Sequence, residues 1–406
     1  MSGPLDGVRV IDLTSVLMGP FATQMLGDLG ADIIKVEPLE GDVVRGIGPM
    51  RHAGMGGGFL HVNRNKRSLA LDLKKPQALE ALLQLAETAD VMVYNVRPQA
   101  MARLGLTYEA LARRNPRLIY VGLVGFGQGG PYAGMPAYDD LIQGIIGLPS
   151  LIAQVGDGVP RYVPLAFVDR TVGVTAANAI TAALYRREKS GTGQSIEIPM
   201  FETMVQFVLG EHMAGATFSP AEGPMGYSRQ LAPERKPFPT ANGHVCVVIY
   251  NDKQWRNFFS LIGRLDEYEA DPRFADIGSR TRHIGALNAI VADVMRTRST
   301  EAWLALLPDN DIPAMRLHTL ESLMQDPHLL ATGFFKEVTH PSEGRVVSMT
   351  IPGSWSESAP EIRHGAPTLG QHTAEVLAEA GLSAEAIAAL AQAGVIGLQT
   401  PTGASA

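Results

Sequence analysis

Val8-Arg-Val-Ile-Asp12 and Asp32-Ile-Ile-Lys-Val36, with Pro20 and Gly30 between them, decide the fold. Each flank is a short run rich in β-branched apolar residues, the composition of a strand buried on both faces. Pro20 suits the first turn of a helix, where its missing N–H costs nothing. Gly30 suits the left-handed position just past a helix end, so a helix reaching about Leu29 is expected. Strand, helix and strand in this order make a βαβ unit, with the two strands parallel in one sheet.

The alternation continues outward. Ser68-Leu-Ala-Leu-Asp72 predicts the next strand, and Leu79, Leu82, Leu83 and Ala86 share one face of a helix beginning at Gln77. Val91-Met-Val-Tyr94 and Leu118-Ile-Tyr-Val-Gly122 predict two more strands, separated by a helical Tyr108–Arg114 segment. The fold class is α/β, with a parallel sheet covered by helices on both faces. Ligands of such sheets sit beyond the carboxyl ends of the strands. Chemistry is therefore expected in the loops after Asp12, Val36, Asp72, Tyr94 and Gly122.

Prolines and glycines crowd the stretch from Ser219 to Pro239, which predicts a linker. A smaller α/β unit follows, opening with Val245-Cys-Val-Val-Ile249. Val338–Ile351 is strand-like again, two Ala/Leu-rich helices are expected over Thr373–Ala380 and Ser383–Ala393, and the tail 399–406 is expected to fray.

The 406 residues carry a net charge of −7, which argues against a nucleic-acid surface with its basic excess. Cys246 is the one cysteine, so no internal disulfide forms and Cys-rich zinc sites are excluded. No run approaches the roughly 18 apolar residues that span a bilayer, and the N-terminus has no basic-then-apolar leader. A soluble protein of the reducing cytoplasm is expected.

Several stretches carry candidate chemistry. The first βα turn, Asp12-Leu-Thr-Ser-Val-Leu-Met-Gly19-Pro20, has one glycine where a dinucleotide site wants Gly-x-Gly-x-x-Gly, so a dehydrogenase is disfavoured. Glu37 imitates a ribose-binding acid but reads as a solvated strand-end residue. Asp169 follows an apolar run and precedes a helical Val172–Arg187. By default that pattern marks a helix N-cap; a nucleophile already anionic at neutral pH, given an ordinary pKa of about 3.9, is compatible with the same place. Gly54–Gly58 reads as a loop, and Gly125-Phe-Gly-Gln-Gly-Gly130 as a loop or a ligand-facing turn. Asn65-Lys66-Arg67, Lys74, Lys75, Arg97 and Arg103 place cations near strand ends and point to an anionic, phosphate-bearing ligand. Tyr138-Asp139-Asp140 starts a helix or a site. No histidine has metal-like spacing.

These residues resemble the class III CoA transferases, a family that includes formyl-CoA and carnitine CoA transferases and the related α-methylacyl-CoA racemases. The resemblance rests on Leu5-Asp-Gly-Val-Arg-Val-Ile-Asp-Leu13 with Gly19-Pro20, on Gly27–Pro38, and on Asn65-Lys-Arg-Ser-Leu-Ala-Leu-Asp-Leu73. Asn95-Val-Arg-Pro98, Arg103-Leu-Gly105, Tyr138-Asp139, Asp169, Gly191-Thr-Gly-Gln194 and Gly370-Gln-His-Thr373 extend it over nearly the whole chain.

The resemblance implies a Rossmann-like large domain built from both chain ends (1–218 and 326–406), a linker (219–239) and a small α/β domain (240–325). It implies an interlocked, ring-like homodimer. It implies that Asp169 is catalytic and that CoA is held by Val16, by Leu71, Asp72, Leu73 and Lys74, by Asn95, Val96 and Arg97, and by Arg103. Leu17, Gly19, Tyr138 and Asp139 lie nearby. Acyl-CoA and carboxylic acids are the substrates, with no resident cofactor and no metal. Backbone N–H groups near Gly19 or in the 125–130 loop are candidate oxyanion donors. Leu17 stands where formyl-CoA transferase has glutamine, and the four-glycine loop is lacking, so formate or oxalate is disfavoured. A dicarboxylate pair with succinyl-CoA is expected instead, with Arg45, Arg51, Arg229 or Arg235 holding a distal carboxylate. Two alternatives remain: a racemase, against which Tyr138 replaces the histidine of a His-Asp pair and Tyr250-Asn251-Asp252 lacks a glutamate, and a non-catalytic CoA-binding protein.

Overall fold

A computed structural model describes residues 3–399, so the tail over 400–406 lies outside the described residues. The chain forms two compact units. The first takes the chain up to Ile146, then Val163–Gln206 and everything from Thr332; the second takes Gly147–Tyr162 and Phe207–Ala331.

In the first unit six strands run parallel: β1 (Arg9–Leu13), β2 (Asp32–Glu37), β3 (Lys66–Leu71), β4 (Val91–Tyr94), β5 (Ile119–Val124) and β6 (Gln194–Pro199). Their spatial order is β3-β2-β1-β4-β5-β6, and the short Ile396–Gly397 adds antiparallel beside β3. The parallel α/β sheet expected from the alternating pattern is thus present. Val10, Ile11, Ile34, Leu69, Val91, Met92, Val93 and Val121 are inaccessible to solvent. Burying each such side chain contributes roughly 1.5–3 kcal/mol, which explains why these runs carry no polar alternation. β6 breaks that pattern. Ser195 and Glu197 alternate with Ile196 and Ile198 because an edge strand buries less of itself, and the apolar-run signal missed it.

The chain winds outward from β1 to β2 on one side and from β4 to β5 on the other. Such a reversal opens a crevice beyond the carboxyl ends of β1 and β4. Three helices frame it. Helix α1 (Met18–Asp28) follows β1, and Gly30, at φ +109°, terminates it as its sequence position predicted. Helix α2 (Asp139–Ile145) and the 24-residue α3 (Phe167–Ser190) come from the segment between β5 and β6. Phe335–His340 and Gly344–Met349 pair as a hairpin, resolving the strand-like 338–351 region.

The second unit has three antiparallel strands, Phe238–Pro239, His244–Val247 and Ala314–Arg316. Its core is aromatic, with Trp255, Phe258, Phe259 and Trp303 each no more than 1% exposed. No helix among the described residues is long and apolar enough to cross a membrane.

Candidate active site

Beneath the crevice the first unit buries a set of charges. Asp12, near the end of β1, accepts from the hydroxyls of Thr14 and Thr23 and from Lys66 Nζ at 3.0 Å. Lys35 Nζ donates to the Thr14 carbonyl at 2.8 Å and to Asp42 at 2.9 Å. Glu37 takes both Nε and Nη2 of Arg45 at 2.7 Å, plus the Ser68 hydroxyl. Burial alone would raise Asp12, but Lys66, Lys35 and the two threonine hydroxyls override it and hold its carboxyl down at about 2. Burial pulls Lys66 down to about 8 despite Asp12 beside it.

These pairings correct four expectations. Glu37 is 2% exposed and locked to Arg45, not a solvated strand end. Arg45 is therefore committed and does not hold a substrate carboxylate. Arg51 donates to the carbonyls of Glu343 and Arg345. Lys66 and Arg67 start β3, at the edge opposite the ligand side, and are paired with Asp12 and with Asp32, Glu375 and Glu379.

The buried charges hold the loop above them. Asp42 accepts the Val16 N–H through both oxygens at 3.1 and 3.2 Å. Asn95, after β4, clamps the neighbouring residue twice, accepting Ser15 N–H at 3.0 Å and donating to the Ser15 carbonyl at 2.9 Å. Between these anchors Val16 sits at φ +69°, a left-handed conformation that costs a β-branched residue about 1–2 kcal/mol. Strain of this kind persists where surrounding contacts over-determine it, commonly at functional sites.

Above the loop lies a cavity of about 510 Å³, in the range that holds a small ligand. Val16, Leu17, Asn95, Val96, Arg97, Arg103, Tyr138, Asp139 and Asp169 all line it. The structure thus brings together, from four loops and helices, residues separated by up to 153 positions (Val16 to Asp169, 169 − 16). Leu71, Asp72, Leu73, Lys74 and Gly19 do not line it. Leu71 pairs with Ile396, Asp72 donates its N–H to Val395, Leu73 is half-buried against the core, and Lys74 is exposed. Gly19 is buried in α1, where a Cβ would come within 2.3 Å of Thr14. Arg97 and Arg103 are exposed and make no ion pair among the described residues. Lys75 instead caps the carbonyls of Ala393 and Gly394. In the 125–130 loop, the N–H groups of Gly127 and Gln128 are taken by Glu202 and Glu197, so they are not free oxyanion donors.

Asp169 is not an N-cap. That place belongs to Ala166, and Asp169 occupies the third position of α3. Its backbone N–H, which no helical partner can satisfy, donates to Asp139 Oδ1 at 2.8 Å. Asp139 Oδ2 accepts from Gln143 Nε2 at 2.6 Å, and Gln143 Oε1 accepts the Val163 N–H at 2.9 Å. No donor among the described residues bonds the Asp169 carboxylate itself. Burial, reinforced by the Asp139 charge and opposed by Arg170, pushes it up to about 7. The ordinary value of about 3.9 expected from sequence does not apply. The Arg170 guanidinium lies 4.3 Å over the Phe21 ring and makes no ion pair with Asp169.

The family model for CoA-transferase family III matches residues 5–373. The chain belongs to that family. A succinyl-CoA:mesaconate CoA-transferase of Haloarcula hispanica is 35% identical, covering 94% of this chain and 97% of the relative. A succinate–glutarate CoA-transferase of Agrobacterium fabrum is 32% identical, covering 93% and 95%. Among solved structures, a CaiB/BaiF family protein from Brucella suis superposes with a TM-score of 0.78 at 31% identity, over 94% of this chain and all of that one. This family III CoA transferase is an enzyme acting on CoA thioesters.

Proposed function

We propose that this CoA transferase exchanges CoA between a succinyl-CoA donor and a carboxylic acid, with Asp169 as the covalent relay. The observation that carries the relay is the Asp169 carboxylate: half-buried, without a donor among the described residues, and facing a cavity with two arginines that make no ion pair among those residues. A desolvated carboxylate is a stronger nucleophile than a hydrated one. Support for succinyl-CoA comes from the Haloarcula hispanica succinyl-CoA:mesaconate and Agrobacterium fabrum succinate–glutarate CoA-transferases that the chain resembles.

A carboxylate oxygen of Asp169 attacks the thioester carbonyl. The C–S bond breaks, CoA leaves as thiolate, and a mixed anhydride remains. The thiolate then attacks the aspartyl carbonyl, releasing the donor acid and leaving CoA in thioester linkage to Asp169. The acceptor carboxylate attacks that thioester, forming a second anhydride and freeing the thiolate. The thiolate attacks the acceptor acyl carbon, giving the new acyl-CoA and restoring Asp169. Each step moves one electron pair and no net proton, so the reaction needs neither ATP nor a resident cofactor. Val16 and Asn95, rigidly held, shape the floor of the CoA site, while Arg97 and Arg103 face its phosphates. The first turn of α1 has no side-chain cap, which leaves its N–H groups as donors toward developing oxyanions. By family resemblance, Leu71 to Lys74 belong to the same proposal as CoA contacts outside this cavity, and so does an interlocked homodimer.

Asp169→Asn tests the relay, since it preserves shape but cannot form an anhydride. A folded variant with exchange reduced at least about 1000-fold is expected. Retained turnover would contradict the proposal.

A further inference from the structure

We propose that Gln143 is a positioning residue for the Asp169 nucleophile, acting through Asp139. The inference rests on the relay function of Asp169 proposed above. Gln143 does not line the Asp169 cavity and is inaccessible to solvent, yet it is polar and uses both ends of its amide. Its Nε2 donates to Asp139 Oδ2 at 2.6 Å and to the Leu165 carbonyl at 3.3 Å. Its Oε1 accepts the Val163 N–H at 2.9 Å. One side chain thus ties α2 to the two ends of the segment leading into α3.

The consequence lies in what Asp139 can do. A carboxylate has two oxygens, and Asp139 spends Oδ1 on the Asp169 N–H. Gln143 occupies Oδ2, which stops the carboxylate rotating and keeps Oδ1 on the backbone of the nucleophile. A neutral amide is the suitable donor. It orients Asp139 without neutralising it, so the negative charge beside Asp169 is kept. A lysine or arginine there would cancel that charge, and an apolar residue would leave Oδ2 without a donor. The groups acting on Asp169 are Asp139 from α2 and Arg170 from its own helix, and Gln143 controls the placement of the first.

Two variants separate positioning from packing. Gln143→Leu removes donor and acceptor, and is expected to lower kcat at least about tenfold while KM for acyl-CoA stays within about twofold. Gln143→Glu keeps the size and the acceptor for Val163, but donates to Asp139 only while protonated. Its kcat is expected to stay near the native value at pH 6 and to fall about tenfold by pH 9, where the native enzyme keeps its plateau. A purely structural role gives no new alkaline loss. If Gln143→Leu does not fold, the pH profile of Gln143→Glu decides alone. A native-like profile for Gln143→Glu, with kcat unchanged at pH 9, would overturn the inference. The underlying relay is checked separately in the native enzyme: CoA attached to Asp169 together with a native-like Gln143→Glu profile refutes the positioning role only.

Discussion

Asp12, fully buried, and Asp169, half-buried, are aspartates of the same unit, and their surroundings push them in opposite directions. Asp12 is held at about 2 by two lysines and two hydroxyls, whereas Asp169 is pushed up to about 7 with no donor on its carboxylate. Burial acts the same way on both, so partners decide the sign. The layer under the crevice spends its charges on one another and holds a strained loop still. The cavity above leaves three of its charged side chains without an ion pair or side-chain donor among the described residues: Asp169, Arg97 and Arg103. The lower layer supplies rigidity, and the upper one supplies reactivity.

The largest effect is expected below. Asp12→Ala strands Lys66 without its counter-charge, while Lys35 keeps Asp42, and should cost about 3–5 kcal/mol of unfolding free energy by denaturant titration. A loss under about 1 kcal/mol would show that the pairing is not what holds this layer.

Asp169 should behave in the opposite sense. Its folded pKa is raised, so its contribution to stability is present below about pH 4 and is lost as pH rises through about 7. Asp169→Asn should therefore match the native chain near pH 4 and exceed it above pH 7, by roughly 2 kcal/mol after discounting for partial solvent access. In the native enzyme kcat/KM should climb through about pH 7 as the carboxylate ionises. A limb near pH 4 would make Asp169 an ordinary carboxylate and dissolve the contrast.

Smaller effects sharpen the picture. Arg97→Ala and Arg103→Ala should each raise KM for acyl-CoA about tenfold with kcat nearly unchanged, since an exposed cation contributes to binding alone. Val16→Gly should relieve the left-handed strain and stabilise the fold by about 1 kcal/mol in thermal unfolding. If it destabilises instead, packing of the valine outweighs its backbone cost.

Much of this was legible in the sequence. The strands with continuous apolar runs, Pro20 and Gly30 gave the parallel sheet, because a strand buried on both faces has few alternatives. The cavity residues Asn95, Tyr138, Asp139 and Asp169 came from family resemblance, since no local pattern joins residues so far apart. The partners of the charges were hidden. Nothing near Glu37 announces Arg45, and nothing beside Lys66 announces Asp12, because those pairs form across the fold. Gln143 and Asp42 also escaped notice. The spacing of Gln143 four residues after Asp139, on one helical face, was the available signal. Asp42, opening a short helical turn at Val43, reads locally as a mere cap. The pKa of Asp169 was beyond reach for the same reason, being set by burial and by Asp139, thirty positions away in the chain.

The central claim is a covalent one, and peptide mass spectrometry tests it most directly. After brief incubation with an acyl-CoA and acid quench, the peptide containing Asp169 should carry the added mass of CoA less water. A CoA adduct confined to another residue, or turnover in which that peptide is never modified, would contradict the account.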